Sequence, residues 1–243
     1  MQIQVRRAEY RDVEALRDLY RQEANCQIIR DSFLPRGLAD PYLIHVGGQV
    51  GGYGALSNRY DKGRIVEFYT LPHLRGLALP MFRELLGESQ ATHVEAQTNV
   101  PLKLLMLYDC ATNVTAEKLL FHDALETHLA CPEGVFRRRV PGDQGPEGDW
   151  VVEAGGTVVA AGGFLCHYNP PYGDVYMEVA EPARRRGFGG YLVQEVKRAC
   201  YAAGRRPAAR CDVGNVGSRR TLEKAGFLPC ARLLVGEVVA PKA

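Results

Sequence analysis

Among its seven cysteines the 243-residue chain has no CxxC pair, and its six histidines form no pair at metal-ligand spacing. A zinc site and a disulfide framework are thereby disfavoured, and scattered thiols suit a reducing interior. No Gly-x4-Gly-Lys-Ser/Thr run occurs, so a P-loop is excluded. No apolar run is long enough to span a membrane. The opening Met1-Gln-Ile-Gln-Val-Arg-Arg7 does not read as a signal peptide, and a cytoplasmic location is expected. With 46% hydrophobic and 24% charged residues, the chain is globular rather than disordered.

Against these absences stands one segment rich in information, Val179-Ala-Glu-Pro-Ala-Arg-Arg-Arg-Gly-Phe-Gly-Gly190. It follows a strand-like stretch, Asp174 to Val179, with β-branched and aromatic content. It precedes a helical pattern in which Leu192, Val193, Val196, Ala199 and Cys200 recur on one face, with Gly204 as the stop. A glycine turn before a helix is an anion site. The backbone can approach a phosphate, and the free N–H groups at the helix start point at it. Arg184, Arg185 and Arg186 add charge that matches phosphate geometry. A dinucleotide fingerprint is a rival reading: Gly187 and Gly189 fit it and Asp212 lies near the distance of a ribose-binding acid, but Leu192 holds the third glycine position. An ordinary tight turn with a solvated arginine face is the other alternative.

Downstream, a second strand-like run (Pro207 to Val213) leads to Asn215-x-x-Ser218 and then Leu222-Glu-Lys-Ala-Gly-Phe227. Taken together, Arg-x-x-Gly-x-Gly, Asn-x-x-Ser and Lys-x-Gly-Phe resemble the GNAT superfamily of acetyl-CoA-dependent acyltransferases over about residues 175–228. The resemblance implies an α/β fold, a mixed sheet with flanking helices, and acetyl-CoA as cosubstrate with no metal. It implies that Met177 and Val179 line the pantetheine arm through their backbone. Arg184, Arg185, Arg186, Gly187, Phe188, Gly189 and Gly190 would cradle the pyrophosphate, with Asn215 and Ser218 near the pantetheine. Asn215 also fits as the N-cap of a helix beginning near Val216. Many family members carry Tyr where this chain has Leu222, so a thiolate-protonating hydroxyl is missing there.

Glu178, between Met177 and Val179, is the candidate general base, although alternation turns it to the opposite face of the strand. A carboxylate paired with an arginine is the structural alternative. Cys211 lies near the site and is a candidate nucleophile, but as one of seven scattered cysteines it reads rather as a packed small hydrophobe. Residues 181–232 hold twelve Lys and Arg against four Asp and Glu, an excess of eight. A polyanionic coenzyme accounts for it without nucleic acid. A small-molecule or peptide amine is the expected partner, with neither nucleic acid nor membrane. A non-catalytic coenzyme-A-binding protein is the runner-up, and a dinucleotide-dependent oxidoreductase the third reading.

The length suggests two domains, and an internal repeat supports them. Tyr42 to Leu56, with Gly47-Gly48, parallels Trp150 to Phe164, with Gly155-Gly156, each reading as a hairpin. Val66-Glu67-Phe68 parallels Met177-Glu178-Val179, and Asn99 parallels Asn215. In the first turn His73, Ala78 and Leu79 stand for Arg184, Gly189 and Gly190, and Pro80 removes an N–H. Two tandem GNAT-like domains are therefore expected: a degenerate one at 1–128 and one with the coenzyme site at 129–243. The first opens with a strand at Ile3 to Val5 and a helix capped by Asp12. The second lacks an equivalent strand and helix before Trp150.

Overall fold

The computed structural model describes residues 2–23 and 32–239. In chain order the elements are β1 (Ile3–Arg7), α1 (Tyr10–Glu23), β2 (Ala39–Val46), β3 (Gln49–Ser57), β4 (Arg64–Thr70), α2 (Ala78–Ser89), β5 (His93–Gln97), α3 (Pro101–Cys110) and β6 (Ala111–Asp123). There follow β7 (Val135–Arg138), β8 (Trp150–Ala154), β9 (Thr157–Leu165), β10 (Tyr172–Val179), α4 (Phe188–Ala202), β11 (Arg206–Asp212), α5 (Val216–Lys224) and β12 (Phe227–Val238).

The chain forms two compact units, Met1–Glu117 with Ala231–Ala243, and Lys118–Cys230. This division differs from a cut at 128/129. The long strands β6 and β12 each begin in one unit and end in the other, which composition does not reveal. Residues 233–237 of β12 pair with β5 in the first unit, while residues 118–122 of β6 pair with β11 in the second.

In the first unit the strand order is β1-β2-β3-β4-β5-β12. In the second it is β6-β11-β10-β9-β8-β7. Each has one parallel pair, β4 with β5 and β10 with β11. The hairpins repeat in detail. Gly47 and Gly48 have φ of 59° and 82°, Gly155 and Gly156 58° and 78°. Both are left-handed pairs, the backbone that a two-residue hairpin turn requires and glycine supplies without strain. Each hairpin has a bulge at the same place, Ile44/His45 and Val152/Glu153.

Helix α1 begins at Tyr10, so Asp12 is not its cap. Instead Asp12 accepts from the Glu9 amide at 3.0 Å, the reach-back half of a capping box. The helix buries Val13, Leu16 and Tyr20 on one sheet face, against Tyr53, Val66 and Tyr69. Helix α2 covers the other face through Met81, Phe82 and Leu85. In the second unit α4 starts after Gly187 (φ 94°) and ends before Gly204 (φ 72°). Its Leu192, Val193 and Val196 are fully buried, each worth roughly 2 kcal/mol of apolar transfer. Residues 118–149 contain no helix, so nothing matches α1, as expected. They do contain a matching strand, contrary to expectation: β7 pairs with β8 as β1 pairs with β2.

Candidate active site

Strand β10 pairs with β11 only from Tyr172↔Arg206 to Val175↔Ala209. On its other side it stays paired with β9 as far as Val179↔Ala160. From Tyr176 to Val179 the β11-facing edge of β10 therefore has no strand partner. Backbone groups along that edge, apart from the Val179 carbonyl that accepts from Arg184 Nε at 3.3 Å, are available to a ligand, in the way an exposed sheet edge accepts an added strand. Met177 and Val179 pack toward the α4 core while Glu178 is exposed, as alternation requires.

The chain then turns into α4. Arg184 is extended, Arg185 is left-handed at φ 65°, and Gly187 at φ 94° is the N-cap. A left-handed arginine costs on the order of 1–2 kcal/mol. The first intrahelical bond runs from the Tyr191 amide to the Gly187 carbonyl at 3.2 Å, leaving the amides of 188–190 without helical acceptors. A Cβ on Gly189 would lie 3.1 Å from Val179 Cγ2 and 3.2 Å from Thr221 Cγ2. Opposite, the Ser218 amide donates to Asn215 Oδ1 at 2.9 Å, so Asn215 caps α5.

A cleft of about 680 Å³ joins these parts. Met177, Glu178, Val179, Arg184, Arg185, Gly187, Phe188, Gly189, Gly190, Asn215 and Ser218 all line it. Both faces of β10 contribute, as a gap through the sheet would require. The Phe188 ring is buried in the core, which leaves its backbone for the cleft. Arg186 is not among the lining residues. It pairs with Glu133 at 2.5 Å and lies 5.1 Å over the Phe188 ring, so its charge is directed elsewhere. Arg220, Thr221 and Lys224 complete the lining. Their spacing from Asn215 and Gly217 along α5 is that of one helical face, a signal the sequence carried.

Leu222 is 3% exposed in the core and does not line the cleft. Cys211 is buried among apolar residues, and that burial pushes its thiol up, away from the nucleophilic thiolate. At the inner end of the gap lies a carboxylate the sequence reading passed over. Asp174 is buried, and its Oδ2 is 3.3 Å from Arg210 Nε. Arg210 also donates to the Tyr168 hydroxyl and lies over its ring at 4.8 Å. Asp174 Oδ1 has no hydrogen-bond partner among the described residues. Desolvation raises the carboxyl to about 6, with Arg210 pulling the other way.

A raised carboxyl pKa favours folding below the unfolded value of 3.8, and that contribution fades as pH climbs through 6. Between pH 4.5 and 7.5 the loss is about 2 kcal/mol. Asp174→Asn should remove that slope. Urea unfolding of both proteins at the two pH values checks it. An identical mutant-to-wild-type difference at both pH values would mean that Asp174 titrates normally.

The first unit differs at each corresponding point. Equal hairpin positions Tyr53 and Ala161 pair with Tyr69 and Glu178. Tyr69, not Glu67, is thus the counterpart of Glu178, and the similarity of Val-Glu-Phe to Met-Glu-Val is out of register. Glu67 is instead held by Arg17 through two 2.9 Å bonds and by the Tyr53 hydroxyl at 2.8 Å. The caps Leu77 and Gly187 align Leu79 and Pro80 with Gly189 and Gly190, while Ala78 is buried and matches Phe188. The cap of α3 is Val100, so Asn99 is not the equal of Asn215. Strand β4 also parts from β5, after Ile65↔Val94. There buried Lys103, third residue of α3, donates to the Val66 carbonyl. The third residue of α5 is Ser218.

Among the described residues no helix is long and apolar enough to cross a membrane. Nor, among them, do three or more His, Cys, Asp or Glu side chains gather as a metal site.

Residues 115–227 match the model of the acetyltransferase (GNAT) family. No curated protein matches the chain. Solved structures resemble it along nearly its whole length. A GNAT-family acetyltransferase from Colwellia psychrerythraea is 14% identical with a TM-score of 0.76, covering 98% of this chain and 100% of that one. A tandem GNAT protein from the clavulanic acid biosynthesis pathway is 13% identical with a TM-score of 0.62, covering 99% and 100%. A GCN5-related N-acetyltransferase from Sphaerobacter thermophilus is 16% identical with a TM-score of 0.58, covering 98% and 96%. At these identities the likeness is one of fold: two tandem GNAT-like domains.

Proposed function

We propose that this chain, whose residues 115–227 match the model of the acetyltransferase (GNAT) family, moves an acetyl group from acetyl-CoA to an amine. The observation that carries this reading is the parting of β10 from β11 after Val175↔Ala209, directly beside the glycine turn and inside the matched segment. In this reading the free edge of β10 at Met177 to Val179 receives the pantetheine amides. The amides of 188–190, with Arg184 and Arg185, hold the pyrophosphate. Asn215 and Ser218 flank the arm. Strand amides polarise the thioester carbonyl as an oxyanion develops. The acceptor is a small-molecule or peptide amine, and the setting is the cytoplasm.

Glu178 is the proposed base. It is exposed at the cleft, and no ion pair among the described residues occupies it. It can take the ammonium proton directly or through a water. Glu178→Gln should lower turnover about 10²-fold with little change in acetyl-CoA affinity. Full turnover with an unchanged pH profile would remove Glu178 from the mechanism. The first unit is read as a degenerate domain, because Lys103, Leu79 and Pro80 occupy what the second unit leaves open.

Thiol release from acetyl-CoA across a panel of amines tests the activity. Calorimetry with acetyl-CoA, alone and in the presence of NAD, tests the ligand: binding of NAD with no response to acetyl-CoA would overturn the reading. A non-catalytic coenzyme-A-binding role is the second reading, favoured by Leu222. Its burial in the core leaves no hydroxyl at that place to protonate the departing thiolate.

A further inference from the structure

Four cations line the second unit's cleft, Arg184, Arg185, Arg220 and Lys224, against one carboxylate, Glu178, an excess of three positive charges. None of the four is in an ion pair among the described residues. Their immediate neighbours outside the cleft are neutralised. Arg186 pairs with Glu133 at 2.5 Å, and Arg219 with Glu223 at 2.8 Å. Leaving like charges together without partners costs free energy, so a cleft that gathers the unpaired ones matches a polyanion.

The four fall into two groups. Arg184 and Arg185 belong to the turn at the start of α4, where Arg185 is held at φ 65°. Arg220 and Lys224 stand one helical turn apart on the face of α5 that meets the cleft. The Lys224 stem lies 3.6 Å from the place of a Cβ on Gly190, so α5 faces the turn directly. A pyrophosphate diester carries two charges and sits at the turn amides. It leaves the α5 pair unmatched. A phosphate monoester adds about −1.5 to −2 at neutral pH and three further acceptors.

We infer that Arg220 and Lys224 form a second anion subsite for the ribose 3′-phosphate of the coenzyme. The inference rests on the acetyl-CoA reading and narrows it. The protein selects free coenzyme A thioesters over donors that lack this phosphate, such as 3′-dephospho forms. Two exposed cations on one monoester are worth roughly tenfold in affinity, because solvent screens them.

Calorimetry on the full chain, with acetyl-CoA and acetyl-3′-dephospho-CoA as titrants, tests this. Wild type should bind acetyl-CoA about tenfold more tightly. The double variant Arg220→Ala/Lys224→Ala should bind both at the wild-type dephospho level. Equal wild-type affinities would sink the subsite while leaving the coenzyme reading intact. So would a double variant that loses both ligands equally, since the pair would then serve the pyrophosphate. Absence of binding by either titrant would overturn the coenzyme reading and the subsite with it.

Discussion

Gly189→Val is expected to abolish acetyl-CoA binding. The position is tight before any ligand arrives, with Val179 and Thr221 methyls 3.1 and 3.2 Å from a Cβ. Valine adds two further methyl groups in the space between β10 and α5. They separate a phosphate from the amides of 188–190. Several charge-assisted hydrogen bonds are lost, each about 1.5–3 kcal/mol, so affinity falls roughly 10³-fold or more. Overpacking itself costs about 1–3 kcal/mol, which circular dichroism and a melting curve will register without loss of fold. Gly189→Ala is the graded companion. Its single methyl asks the Val179 and Thr221 side chains to give by only a few tenths of an ångström, and binding should weaken only in part. The control is Leu79→Val, at the matching position of the first unit, which should leave binding unchanged. Equal losses at 79 and 189 would mean that both turns hold the donor.

That comparison uses Leu79 because helix caps set the correspondence between the units. Sequence similarity alone had aligned Ala78 with Gly189. The turn in the second unit is one residue longer between the strand end and the helix cap, and Arg185 absorbs the extra residue by going left-handed. Chain order and spacing made the hairpins, the glycine turn, α4 and the Asn215 cap legible, because each is a local device with its own residue requirements. Pairing register is different in kind. It depends on bulges and loop lengths that place one strand against another, and a slip of two residues keeps the same face. Glu67 and Glu178 look equivalent for that reason, yet Glu67 pairs opposite Ala55 and Glu178 opposite Ala161, one pleat pair apart between the copies.

Long-range ionic partners were illegible for the same reason. Lys103 reads as an ordinary helix residue, but folding inserts it beside Val66 where the second unit keeps a gap. Asp174 reads as a strand residue, and its meaning appears only when Arg210, just past the last β10–β11 pair, reaches back to it. The pair sits where the two strands begin to part.

Glu67→Gln is expected to cost the first unit about 3–5 kcal/mol. Arg17 and Glu67 are 1% and 3% exposed, and their mutual counter-charge and two hydrogen bonds offset the cost of desolvating both. Neutralising Glu67 takes the paired carboxylate away from a buried guanidinium that cannot shed its proton. Tyr53 cannot compensate. Burial first, and Glu67 next, hold its hydroxyl well above the usual phenol range, so it stays a neutral donor. Thermal melting should show the loss as a drop of roughly 10 °C or more. The double change Arg17→Met/Glu67→Leu removes both charges and should recover much of the stability, since apolar packing can replace a buried pair at little cost. Because the reading assigns the donor to the second unit, acetyl-CoA affinity measured well below the melting point should be unchanged in either variant. A Glu67→Gln protein that melts normally but turns over slowly would reverse this assignment: the buried pair would then act on the reaction, and the first unit would be part of the active site.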